Sequence, residues 1–189
     1  MDDVLRTLKP RRSKFIPDYI KPTPKQTAYM VLPHREGLFG GAAGSGKSII
    51  LSYLALQYAD IPGYNGVIFR RTLTEANLAG SVMDILIEWL SPRMGRGGDV
   101  KFDGSYNTFY FLEYGSQLSI AYLKNEIDHE RYKGTSFHAV FFDELTDFSE
   151  GQYRFLNRSL RRSLHGPAAK IPLRIRSATN PGGLGHLWV

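Results

Sequence analysis

Cysteine is absent from the 189 residues. Disulfide frameworks and thiolate metal sites are thereby excluded. The five histidines, His34, His129, His138, His165 and His186, are scattered and form no i, i+4 pair, so a structural zinc site is not expected. No apolar run approaches the ~18 residues of a membrane span. The N-terminus, Met1-Asp2-Asp3, lacks the charged-then-apolar form of a signal peptide, and an intracellular setting is the expectation. Acidic residues are the minority, 18 against 24 Lys and Arg, which leaves a net charge of +6. That balance points weakly to an anionic partner, a nucleotide or a nucleic acid. With 42% hydrophobic residues the chain can bury a real core, and its length suits one α/β domain rather than two large ones.

The most informative segment is Gly41-Ala42-Ala43-Gly44-Ser45-Gly46-Lys47-Ser48, a complete G-x-x-x-x-G-K-[ST] pattern. Its glycines allow backbone N–H groups to turn inward around a triphosphate. Lys47 can reach the β and γ phosphates, and Ser48 can ligate Mg²⁺. The run Gly37-Leu38-Phe39-Gly40 before it reads as a buried strand, and Ser48 to Leu56 has apolar residues at helical spacing. The helix would aim its positive dipole end at the same anion.

Residues 1–24 are polar, basic and punctuated by proline, and read as an arm without its own core ahead of a domain over residues 25–189. Thr23 is placed to cap a helix with Pro24 at its first position and Gln26 three residues after the cap, ending near His34. Gly66 to Arg71 reads as a second buried strand, and Thr74 to Leu90 as an amphipathic helix. Gly95-Arg96-Gly97-Gly98 reads as a flexible basic loop. Thr108 to Leu112 and Gln117 to Leu123 flank Tyr114-Gly115 as a hairpin. Ala139 to Phe142 is a buried strand, Ser149 to Leu164 a helix, and Leu173 to Ser177 a last strand. Helices between apolar strands predict an α/β fold with a mainly parallel sheet, with ligands at the carboxyl ends of its strands.

The strand at Ala139–Phe142 runs into Asp143-Glu144. This is what a Walker B element needs: Asp143 to share Mg²⁺ with Ser48, and Glu144 to polarise a water attacking the γ-phosphate. Such an Asp-Glu pair is typical of P-loop ATPases with an added strand between the two motifs, and residues 66–71 are a candidate for that insert.

With both motifs in place, the chain resembles the ATPase half of a tailed-phage terminase large subunit, the motor that packages viral DNA. The resemblance is carried by Thr23-Pro24-Lys25-Gln26, similar to an adenine-binding Q-motif, and by Gly41 to Ser48. It continues in Arg131-Tyr132-Lys133-Gly134 with Val140 to Leu145, and in Ser177-Ala178-Thr179-Asn180-Pro181-Gly182-Gly183, similar to a coupling motif. The resemblance implies a three-layer ASCE/RecA-like P-loop fold with a β-hairpin, and Mg-dependent hydrolysis of ATP. It implies that Gln26 reads adenine and that Thr179 and Asn180 sense the γ-phosphate. Partners would be double-stranded DNA gripped by its backbone, a homo-oligomeric ring on the portal and a small terminase subunit. The setting would be the host cytoplasm, with no membrane. Some relatives carry an arginine in the phosphate loop where Ala43 stands here, so a finger from elsewhere is expected. Arg131 is the first choice, with Lys133 or the Arg154 to Arg162 group in reserve. The family's nuclease acids are missing, and no nuclease activity is expected of this chain.

Arg154, Arg158, Arg161 and Arg162 fall at i, i+4, i+7 and i+8, one face of a helix, and could track a phosphate backbone. Residues 9–14 and 93–101 are further basic segments. Two other readings fit the same motifs: a helicase-type DNA-dependent ATPase and a nucleotide-gated assembly module without significant turnover.

Overall fold

The computed structural model describes residues 9–42, 44–72, 80–183 and 185–189. In chain order the regular elements are α1 (Pro24–Met30), β1 (Glu36–Gly40), α2 (Lys47–Leu56), β2 (Asn65–Arg70), α3 (Val82–Leu90), β3 (Val100–Asp103), β4 (Thr108–Phe111), β5 (Ser116–Tyr122), β6 (Ala139–Asp143), α4 (Glu150–Asn157) and β7 (Arg174–Thr179). One seven-stranded sheet has the order β1-β7-β6-β2-β5-β4-β3. The first five strands in that order are parallel, and β4 and β3 continue the sheet as antiparallel strands.

The apolar runs of β2 and β6 are continuous because both strands feed two cores, whereas β1, expected as a buried strand, is a sheet-edge strand with Leu38 exposed. Ile68 of β2 and Phe141 of β6 face the core shared with α2, α3 and the N-terminal segment. Val67, Phe69, Val140 and Phe142, one residue out of phase, face the core under α4 with Phe148, Leu156 and Leu160. The strand period of two therefore splits one hydrophobic run between two layers of helix. Each fully buried Leu or Phe contributes roughly 1.5–3 kcal/mol of transfer free energy.

Several expectations are corrected. The strand inserted between the phosphate-loop strand and the acidic strand is β7, not residues 66–71; β2 lies on the far side of β6. The expected helix over 74–90 is broken: Gly80 has φ 75°, Ser81 is extended and caps Asp84 N, and α3 starts at Val82. The part of that expectation over 74–79 falls outside the described residues. The expected helix over 149–164 stops at Asn157, because Leu160 bridges Phe137 in the second core and Arg161 N donates to Phe137 O. Arg161 and Arg162 thus leave the stripe shared with Arg154 and Arg158. The first helix ends at Met30 rather than near His34, since Pro33 disfavours a helical Leu32. Strand β3 carries Lys101 and Asp103 and was not expected.

The segment expected as an arm joins the domain in its described part, residues 9–24. Phe15 and Ile16 are in the first core, with Phe15 packed 4.5 Å from Phe111. Arg11 pairs with Asp60 at 2.7 Å.

Candidate nucleotide-binding site

Strand β1 ends at Gly40, β7 at Thr179 and β6 at Asp143, side by side at the carboxyl edge of the sheet. The loop from Gly41 to Gly46 rises from that edge into α2. Gly44 and Gly46 both have φ 77°, a left-handed geometry that glycine adopts without strain. Gly46 is also tight: a Cβ there would stand 2.7 Å from Gln26 Nε2. Ala43 lies outside the described residues.

Lys47 is buried at the start of α2. Its Nζ donates to Gly41 O and Ala42 O, both at 2.9 Å, and to Asn180 Oδ1 at 2.8 Å. Asn180 in turn grips Glu144: its backbone N donates to Oε2 at 2.9 Å and its Nδ2 to Oε1 at 3.0 Å. Glu144 has φ 57°, uncommon for a residue with a side chain and costing on the order of 1 kcal/mol. The two bonds from Asn180 hold it there. Gly44, Gly46, Lys47, Ser48, Glu144 and Asn180 line one cavity of about 450 Å³. Hollows of about 560 Å³ beside Trp89 and about 530 Å³ beside Tyr153 are larger, but neither gathers a phosphate loop and a carboxylate.

Asp143 stands beside this cavity and is 3% exposed. Burial pushes its carboxyl up to about 6, against the opposing pull of Arg70 and Lys47. Oδ2 lies 3.3 Å from Arg70 Nη1 yet accepts no hydrogen bond among the described residues. A buried carboxylate oxygen without a donor suits a divalent cation, and Ser48 lines the adjoining cavity. Among the described residues no group of three or more His, Cys, Asp or Glu could hold a metal. One carboxylate and one hydroxyl fit Mg²⁺, which takes one or two protein ligands together with phosphate and water.

The remaining expected site residues are placed as follows. Gln26 closes a capping box with Thr23 and donates from Nε2 to Gly46 O at 3.3 Å, bracing the loop. Ser177 and Ala178 are buried within β7. Thr179 is buried behind the cavity, where its hydroxyl meets Thr146 Oγ1 at 2.8 Å; of the pair Thr179 and Asn180, only Asn180 lines the cavity. Arg131 bonds Asp128 at 2.7 Å and lies over the Tyr122 ring. It follows β5, four strand spacings or roughly 19 Å from β1, and does not join the site of its own chain. Lys133 pairs with Glu130 and Arg154 with Glu150, all on the surface.

Reasoning from the sequence missed Arg70 beside Asp143, and Ile49, Gly80 and Ile85 in the cavity wall. The signal for Arg70 was present: it closes an apolar strand at the carboxyl edge, where ligands bind. A second omission is Arg176, fully buried in β7. Its guanidinium donates to the carbonyls of Leu32, His34, Arg35 and Ile175. It thereby fixes the connection from α1 to β1.

Solved structures of other chains share this fold. The large terminase of bacteriophage HK97 superposes with a TM-score of 0.64 at 12% identity, covering 98% of this chain and 40% of that one. The large terminase of a thermophilic bacteriophage gives 0.58 at 18%, covering 79% of this chain and 34% of that one. The ATPase domain of the large terminase of Thermus phage P74-26 gives 0.56 at 16%, with 92% and 72% covered. At these identities the likeness is one of fold, that of P-loop terminase ATPase domains. The chain spans about two fifths of the HK97 protein and a third of the thermophilic-phage protein. A search of curated proteins finds no match. The family model for the N-terminal part of the T4likevirus-type terminase large subunit matches residues 38–166, which take in the phosphate loop and the Asp143-Glu144 pair. The chain belongs to that family of terminase large subunits.

Proposed function

We propose that this chain is the ATPase domain of a DNA-packaging motor, hydrolysing ATP to drive double-stranded DNA into procapsids. The observation that carries the reading is the convergence of Lys47, Asn180 and Glu144 on one cavity at the end of the phosphate loop. Family membership supports it, as do the structures of the thermophilic-phage large terminase with ADP and with ATP-gamma-S.

On this reading the loop amides and the α2 N-terminus hold the phosphates. Lys47 exchanges its bonds to Gly41, Ala42 and Asn180 for phosphate oxygens. Ser48 and Asp143 are the metal's protein ligands. Mg²⁺, when bound, supplies positive charge against the β and γ phosphates. Glu144 accepts a proton from water as the water oxygen bonds to the γ-phosphorus and the bond to the β–γ bridging oxygen breaks. ADP leaves with that oxygen. Asn180, touching both Lys47 and Glu144, senses the γ-phosphate; Thr179 supports it through Thr146. Gln26 acts on the adenine side while bracing Gly46.

A charge-stabilising finger comes in trans. Arg131 is the first choice: it is half exposed on the side of the sheet that carries the loop, yet remote from its own cavity. A ring on the portal, contact with the DNA backbone and a small terminase subunit complete the assembly, in the host cytoplasm. Nuclease activity is assigned to no residue of this chain. Among the described residues no helix is long and apolar enough to cross a membrane.

The test compares wild type with Glu144→Gln for ATP binding and for steady-state hydrolysis, in the presence of procapsids and DNA. Binding is expected to persist while turnover falls by about 10²–10⁴-fold. Full turnover in the variant would remove Glu144 from the chemistry.

A further inference from the structure

Arg70 is the last residue of β2, and the neighbouring strand β6 ends at Asp143. Phe69 pairs with Phe142 in parallel register, so Arg70 and Asp143 leave the sheet side by side. Their closest approach is 3.3 Å, from Nη1 to Oδ2. A well-aligned bond between a guanidinium and a carboxylate would be about 2.7–2.9 Å. The contact is therefore an attraction between charges without a fixed bond. The Arg70 side chain keeps 19% of its surface in solvent, whereas Asp143 keeps 3%. One partner has a way out and the other does not. Lys47, Glu144 and Asp147 also act on Asp143. Lys47 is already committed to two loop carbonyls and Asn180, so among the described residues Arg70 is the cation bearing directly on Oδ2.

We infer that Arg70 is a positioning residue that holds the Asp143 carboxylate in the metal-free chain and competes with the divalent cation for it. The inference rests on the preceding reading of Asp143 as a metal ligand. Without Arg70, a buried carboxylate would stand with two other acidic groups near it, which is costly. With Arg70, an arriving metal meets a carboxylate already aimed, but with its charge partly offset by the guanidinium. The guanidinium then moves off Oδ2 toward solvent. Because two cations near one carboxylate repel, Arg70 also loosens the metal once bound, and this favours its release with product.

The test measures Mn²⁺ affinity by electron paramagnetic resonance, with Mn²⁺ alone and with Mn²⁺ and ADP. It uses the wild-type chain, Arg70→Gln, Arg70→Lys and Asp143→Asn, each checked for folding by circular dichroism. Arg70→Gln is expected to bind Mn²⁺ more tightly, on the order of 5-fold. Arg70→Lys, which keeps the charge, should stay within about 2-fold of wild type. Asp143→Asn should lose most of the affinity. Equal or weaker binding in a folded Arg70→Gln, with binding lost in Asp143→Asn, overturns the role of Arg70 and leaves that of Asp143 standing. A lysine variant as tight as the glutamine variant also overturns it, since charge would then not be the cause. Unchanged binding in Asp143→Asn overturns the metal-ligand reading instead. Should Arg70→Gln fail to fold, the wild-type chain decides: Mg²⁺ with ADP should shift the Arg70 Nε–H resonance, and an unmoved resonance refutes the competition.

Discussion

The two ends of the parallel sheet use charged residues in opposite ways. At the amino end the cations are closed off. Lys14 contacts both Glu113 and Asp99, Arg93 forks onto Asp99, and Arg11 pairs with Asp60. Arg12 donates to the carbonyls of Ile16, Pro17 and Ile20. The basic segments 9–14 and 93–101, further candidates for contact with a phosphate backbone, meet here: Arg93 donates to Lys14 O. Most of their charge is spent on neighbours, so they act first as packing. At the carboxyl end the charged groups are held but not closed. Among the described residues Asp143 Oδ2 has no hydrogen-bond donor, Lys47 rests on two loop carbonyls and Asn180, and Glu144 is held in a left-handed backbone by one asparagine. Similar residue types stabilise one end and leave the other prepared to exchange partners.

This contrast can be broken experimentally. The largest effect is expected at the open end. Lys47→Ala should lower ATP turnover by about 10³-fold and weaken nucleotide binding, measured by steady-state hydrolysis and by calorimetry. A variant with wild-type kinetics would show that the loop is not the phosphate grip.

Arg176→Met comes next and sharpens the comparison, because it removes a closed cation from the strand between the two motifs. Three carbonyls of the α1–β1 connection lose their donor, and a loss of about 2–3 kcal/mol is expected from denaturant unfolding. Desolvation pulls the Arg176 guanidinium below its ordinary value, yet four carbonyls hold the charge in place. A variant as stable as wild type would mean that the buried charge costs as much as its bonds return.

At the amino end, Lys14→Ala should cost less than about 1 kcal/mol, since its partners are near the surface and screened by salt. ATPase activity should be unchanged. A large loss of activity would show that the closed end communicates with the site.

The smallest effect is a pH dependence. His138 Nδ1 accepts from Asn65 N at 3.0 Å, and Nε2 lies 2.8 Å from Ser163 Oγ. Burial pulls the imidazole below its usual 6.5. The unfolded chain therefore binds the proton more readily, and stability falls as pH drops through and below 6.5. Thermal melts between pH 8 and 5 should show a steeper decline for wild type than for His138→Gln. Parallel declines would assign the acid sensitivity elsewhere.

Most of the fold was legible because it is written in short-range pattern. The apolar runs ending at Gly40, Arg70 and Asp143, and the capping residues Thr23 and Ser149, need only neighbouring residues to be read. What escaped depends on distant partners. Residues 158–160 are helical by composition but are drawn into contact with Phe137. Strand β3 exists because Phe102 stacks on Phe109 and β4 offers an edge, not because Val100-Lys101-Phe102-Asp103 is strongly apolar. The site divides the same way. Lys47, Ser48, Asp143 and Glu144 sit in motifs whose spacing is local. The Asn180 contacts to Lys47 and Glu144, and the Arg70 contact to Asp143, join strands far apart in sequence and were visible only once the sheet order was known.

Strand β7 has a consequence of its own. Arg176 fastens it to the α1–β1 connection, and Asn180, four residues on, touches the lysine and the glutamate together. At the rise of an extended chain the arm between them is about 13 Å. Paired along one edge with β1 and along the other with β6, the strand is a strut rather than a hinge, so the sheet itself sets where Asn180 stands between the lysine and the glutamate.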